Sequence, residues 1–141
     1  MNRRKSRETV MKLLFEMSIN KEDYKVLLEN LIEGEASDIK GLDIDYITKT
    51  LQGTVENMPY IDTIIDKYLV KWKLNRLSKI NIAILRLCTC EIIFAEEIPD
   101  TVIINEGIEL AKKYSEEKSA AFINGVLANI SIEKANIPKN I

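Results

Sequence analysis

At 141 residues the chain fits one domain, long enough to bury about 68% of its unfolded surface in a real core. Its 46% hydrophobic and 30% charged residues are ordinary globular composition, and five Gly and three Pro leave little linker. No apolar run approaches the ~20 residues of a membrane span, and the basic N-terminus is not followed by the apolar stretch of a signal peptide, so a cytoplasmic protein without membrane contact is expected. The net charge of −2 is unevenly spread. Residues 1–12 carry Arg3, Arg4, Lys5, Arg7 and Lys12 against Glu8 alone, a side-chain charge of +4 that leaves −6 on the remainder. A basic head on an acidic body fits a polyanion meeting the N-terminus, although for an isolated group of four basic residues a solvated helix end is the leading reading.

In chain order, Val10, Leu13, Leu14 and Met17 at i, i+3, i+4 and i+7 predict a first helix over Arg3–Ile19. Its basic start opposes the helix dipole, which argues for a role beyond helix stability and for a flexible first turn without a ligand. A second helix is expected over Asp23–Ile32, with Asp23 near its cap and Gly34 at its end. Gly34–Leu42 reads as an exposed loop. Asp43–Asn57 forms the third helix, in which Gly53 marks either close approach of a neighbouring backbone or plain tolerance. Pro59 suits the first turn of a fourth helix carrying Ile61, Ile64, Ile65, Tyr68 and Leu69, and Trp72 then reads as a core plug.

Ser78–Phe94 leaves no wide polar stripe, so it predicts a central helical pillar wrapped by other helices, with Ser78 as its N-cap. Cys88 and Cys90 sit two apart on that pillar, do not face each other and read as buried free thiols. After a turn at Glu96–Pro99, Thr101–Tyr114 carries a double apolar stripe and Ser119–Ile130 a single one, followed by IPKNI as a frayed tail. Seven helices without alternating-polarity strands make an all-α bundle.

Enzyme chemistry has little support. The chain has no histidine, no nucleophile elbow and no phosphate-cradling glycine loop, and no metal or cofactor is expected. Glu96–Glu97, Glu116–Glu117 and the pair Lys112 and Lys113 read as solvated residues. A binding module is the leading class.

Three blocks make the reading specific: RRKSRETVMKLLFEM at 3–17, RLSKINIAILRLCTCEIIF at 76–94, and IPDTVIINEGIELAKKYSEEKSAAFINGVLANI at 98–130. In these blocks, and in their order and spacing, the chain resembles the NusB family of bacterial transcription antitermination factors along nearly its whole length. The resemblance implies a seven-helix protein of two packed helical subdomains, without catalytic activity, that forms a single RNA-binding domain. It implies binding to the boxA segment of nascent ribosomal RNA, best together with NusE, a small-subunit ribosomal protein, in the antitermination complex that helps RNA polymerase pass terminators. Family members occur as monomers or homodimers, so a homodimer is one expected assembly. A NusB-like domain also occurs fused to ribosomal RNA cytosine methyltransferases, and this chain, ending at Ile141, is expected to lack that catalytic part.

Carried onto this sequence, the family's arginine-rich start matches Arg3, Arg4, Lys5 and Arg7. The block that begins the last helix implies a second RNA-contacting region at Lys118, Ser119, Phe122 and Asn124. Lys118 stands where the family often has an acid. Phe122 is either core or a base-stacking surface, and Asn124 either reads a base edge or caps the backbone. The NusE surface is implied at Phe15, Ile19 and Asn81. Asn81 replaces the Asp or Glu common in the family and offers no carboxylate, and Cys90 replaces a common Tyr.

Overall fold

A computed structural model describes residues 2–34, 40–70 and 73–138. These contain seven α-helices and no strand: α1 (Arg3–Asn20), α2 (Tyr24–Glu33), α3 (Ile44–Glu56), α4 (Met58–Lys67), α5 (Lys79–Phe94), α6 (Asp100–Tyr114) and α7 (Glu117–Glu133). Short 3-10 turns at Leu74–Arg76 and Lys134–Asn136 precede α5 and follow α7. Trp72, the middle of the loop after α2 and the last three residues lie outside the described residues.

Polar residues at the starts of the helices fix their boundaries. Asn2, Asp23, Asp43 and Ser78 each accept a backbone N–H of the following turn, at Lys5, Lys25, Tyr46 and Asn81 respectively. Pro59 occupies the first turn of α4, where its missing N–H costs nothing. Proline at position 99 precedes α6, and Asp100 places a carboxylate in its first turn.

The pillar is α5. It packs against α1, α3, α4, α6 and α7, and it buries Ala83 through Leu85 and Leu87 through Ile93. Around it α1 packs with α2 and α3, while α6 pairs with α7. Gly107 of α6 makes that packing close: a Cβ there would meet Cys88 Sγ at 2.9 Å and Leu127 Cδ1 at 3.3 Å. Gly53 does not play this part. Its nearest neighbour would be the Cys90 sulfur at 3.6 Å, an ordinary contact with a side chain and not a backbone. Both cysteines are buried and free.

Three local expectations change. Leu42, expected in an exposed loop, is buried against the core. The first turn of α1 is capped, with the Asn2 N–H donating to the Gly41 carbonyl at 2.8 Å and the Ser6 hydroxyl receiving the Asp43 N–H at 2.8 Å. It is pinned to the start of α3, not loose. The tail is held as far as Pro138, whose carbonyl accepts the Tyr60 hydroxyl, and Ile137 packs on the core.

Candidate nucleic-acid interface

Four basic residues of the first two turns of α1 divide by depth. Arg3, Arg4 and Lys5 are exposed, whereas Arg7 is only 2% exposed. Helical geometry turns one side of this segment toward α5, and that side carries Ser6, Arg7, Val10 and Met11. Arg7 Nε donates to Glu91 Oε1 at 2.7 Å and its Nη2 to Glu91 Oε2 at 3.0 Å, a forked pair inside the core. Burial alone would lower the Arg7 pKa, but the Glu91 hydrogen bonds and charge outweigh it and raise the pKa above the ordinary guanidinium range. Arg7 therefore leaves the exposed basic cluster: its guanidinium anchors α1 to the pillar and is shielded from an incoming strand. Glu91 was the available signal, a lone carboxylate inside the most apolar helix of the chain, which has to find a cation when buried.

The exposed cations have acidic neighbours of their own. Arg3 reaches Asp43 at 3.2 Å and lies over the Tyr46 ring, 4.2 Å from its centroid. Arg4 makes a forked pair with Glu106, the shortest contact being 2.8 Å, yet its side chain stays 74% exposed. That hydrogen bond and charge raise the Arg4 pKa. Asp43 is held below the usual carboxylate range first by the Tyr46 N–H and then by Arg3. Lys5 is exposed and in no ion pair among the described residues. Even when paired, the Arg3 and Arg4 side chains stay 47% and 74% exposed, which leaves them open to a second anion.

Further along, side chains bridge α1 and α6, with Lys113 of α6 reaching Glu8 at 2.7 Å and Lys12 lying near the Tyr114 ring. The second predicted group begins just after, at the start of α7. Lys118 and Asn124 are exposed there. Ser119 is half-buried and its hydroxyl is engaged, accepting Asn81 Nδ2 at 3.0 Å and facing Ser115 Oγ at 3.0 Å. Phe122 packs partly on the core and partly lines a shallow groove with Tyr68 and Gly125. The N-terminal basic cluster and the Lys118 group are thus separate sites.

Of the residues expected to meet a protein partner, Ile19 is 50% exposed and Phe15 is half-buried. Asn81 is 8% exposed and ties the start of α5 to Ser119 of α7, so it is an internal strut and not a surface contact. Cys90 faces Gly53, which agrees with a change confined to packing.

A family model described as the NusB family matches residues 4–131. The chain belongs to the NusB family. The transcription antitermination protein NusB of Clostridium novyi is 55% identical over 130 residues, covering 92% of this chain and 98% of that relative. Among solved structures, NusB of T. maritima superposes with a TM-score of 0.84 at 37% identity, covering 99% of this chain and 95% of that one. The chain is also similar, with a TM-score of 0.76 at 27% identity, to a chain in a crystal structure of antitermination factors NusB and NusE in complex with double-stranded RNA; 92% of this chain and 96% of that chain are covered. Function class follows from the family: NusB proteins are transcription antitermination factors and not enzymes. No helix among the described residues is long and apolar enough to cross a membrane.

Proposed function

We propose that the chain is an antitermination factor that binds boxA RNA of nascent ribosomal RNA transcripts together with NusE, within the complex that carries RNA polymerase past terminators. The observation that carries this reading is the first turn of α1. Arg3, Arg4 and Lys5 project from a capped helix end, and Arg7 beneath them locks that end to the pillar. Preorganised guanidinium groups lose little freedom on meeting phosphates, and each can stack on a base as well as pair with a phosphate. The assembly of a related NusB with NusE and double-stranded RNA supports RNA as the ligand class and NusE as the partner. In this reading the whole chain is one RNA-binding domain working in the cytoplasm, Lys118, Phe122 and Asn124 extend the RNA surface, and Phe15 and Ile19 lie on the NusE surface. A homodimer would be an alternative assembly of the same chain.

The test is RNA binding by the purified protein, with and without NusE, to boxA RNA and a scrambled control across a salt series. The R3A/R4A/K5A variant is the comparison, and Arg7 stays in place because its loss would compromise the core. The reading requires preference for boxA, strengthening by NusE and loss in the variant. Equal weak binding of both RNAs by wild type and variant, with NusE present, would refute it.

A further inference from the structure

A second basic surface lies at the other end of α1. There the end of α1, the 3-10 turn before α5 and the first turn of α5 enclose an open groove of about 680 Å³. Lys21, Lys73 and Lys79 line it, and all three are exposed. Two carboxylates share the groove: Asp62 holds Arg86 in a forked pair at 2.8 Å, and Asp66 accepts the Leu74 N–H at 3.3 Å but keeps its charge, so the three lysines outnumber the one unpaired carboxylate. None of the three lysines is in an ion pair among the described residues. This is the reverse of the N-terminal cluster, where Arg3 and Arg4 both have a carboxylate against them. Arg76, also exposed, stands on the 3-10 turn beside the groove.

Three unpaired ammonium groups around a polar trough attract phosphates as point charges, with no geometry for reading a base. A protein partner fits less well. Among the described residues no aromatic lines the groove and its single arginine is held by Asp62, so they supply none of the desolvated anchors of a protein hot spot. Lys21 lies about 27 Å along the helix axis from Arg3, a span of about 8 nucleotides for a strand stacked as in a duplex at ~3.4 Å each.

We infer that this groove is a second phosphodiester-binding site, reached by an RNA strand already held at Arg3, Arg4 and Lys5 once the strand is long enough to span α1. The inference rests on the RNA-binding reading above and adds to it a length-dependent contact made by Lys21, Lys73 and Lys79.

The experiment measures affinity of the full chain for single-stranded RNAs of roughly half and roughly twice that span, for wild type, K21A/K73A/K79A and R3A/R4A/K5A, across a salt series. All three lysines are exposed, so the lysine variant should fold, and a thermal melt checks it. The expected result is unchanged binding of the short RNA by the lysine variant, weaker binding of the long RNA, and a salt slope for the long RNA reduced by about 2, at ~0.7 for each lost phosphate contact. Wild-type affinity and slope in that variant would overturn the inference while leaving the RNA-binding reading intact. Binding of poly-glutamate in place of the long RNA, abolished by the same variant, would assign the groove to an acidic protein and overturn it too. Both RNAs carry boxA and each titration is repeated with NusE; if wild type bound neither RNA even with NusE present, both readings would fall together.

Discussion

Arg7 and Glu91, 84 residues apart in sequence, close a forked ion pair in which both side chains are almost fully buried. Such a pair adds little stability over a well-packed apolar pair, but breaking it is costly in the core: Glu91 would lose its cation, and Arg7 would keep only the longer contact to Glu106, 3.6 Å from its Nη1. Glu91→Gln is therefore expected to lower the unfolding free energy by about 3–5 kcal/mol in urea, whereas R7M/E91L should recover most of that loss. The double variant should also keep its RNA affinity, because Arg3, Arg4 and Lys5 remain. An E91Q protein with an unchanged urea midpoint would mean that the pair is not closed in solution.

Two glycines on helices should respond oppositely to alanine. At Gly107 the new methyl would press on Cys88 Sγ at 2.9 Å and Leu127 at 3.3 Å, so G107A is expected to destabilise by about 1–3 kcal/mol, with partial relief in G107A/C88A. At Gly125 nothing lies within 4 Å, and G125A should stabilise α7 by up to about 1 kcal/mol through helix propensity. Thermal melts of the variants side by side would show the contrast, and equal shifts would refute it.

Glu8 carries a pH signature. Burial pushes its pKa up, but hydrogen bonds from Lys113 and Tyr114 and the lysine charge outweigh it and hold the carboxyl below its ordinary value. The unfolded chain therefore takes up this proton first on acidification. The stabilising contribution is fully present above the unfolded value of about 4.3 and is lost as pH falls through the lower folded value. Stability of Glu8→Gln, measured against wild type from pH 6 downward, should differ most above that window, and the two curves should converge below it. Parallel curves throughout would show that the contact with Lys113 carries no free energy.

The thiols should be silent in the native protein. Burial pushes Cys88 well above the ordinary thiol range and Cys90 up to about 11, so neither offers thiolate at pH 8. An aromatic disulfide reagent is expected to modify neither cysteine in the folded chain and both in denaturant, at ordinary rates. Rapid native labelling of Cys90 would show that the α3–α5 contact opens.

Much of this architecture is local and was legible without coordinates. The 3.6-residue recurrence of apolar side chains marked all seven helices, Asp23 and Ser78 announced their caps, and the nearly continuous apolar run from Ile80 to Phe94 identified the helix that the others surround. The order of three motif blocks was enough to suggest the family. What remained hidden depends on partners 38 to 102 residues away in sequence. Arg4 and Arg7 belong to one basic motif with identical chemistry, yet one stays at the surface and the other enters the core, because only the packing of α1 on α5 sets which lies opposite Glu91. Asn81 looked like a surface polar residue until α7 covered it and brought Ser119 to its amide. Sequence by itself determined the helices, their caps and the family, since these depend on neighbouring residues and motif order. Tertiary structure alone decided which charges face solvent, because burial is a property of the helix that packs across from a residue and not of the residue itself.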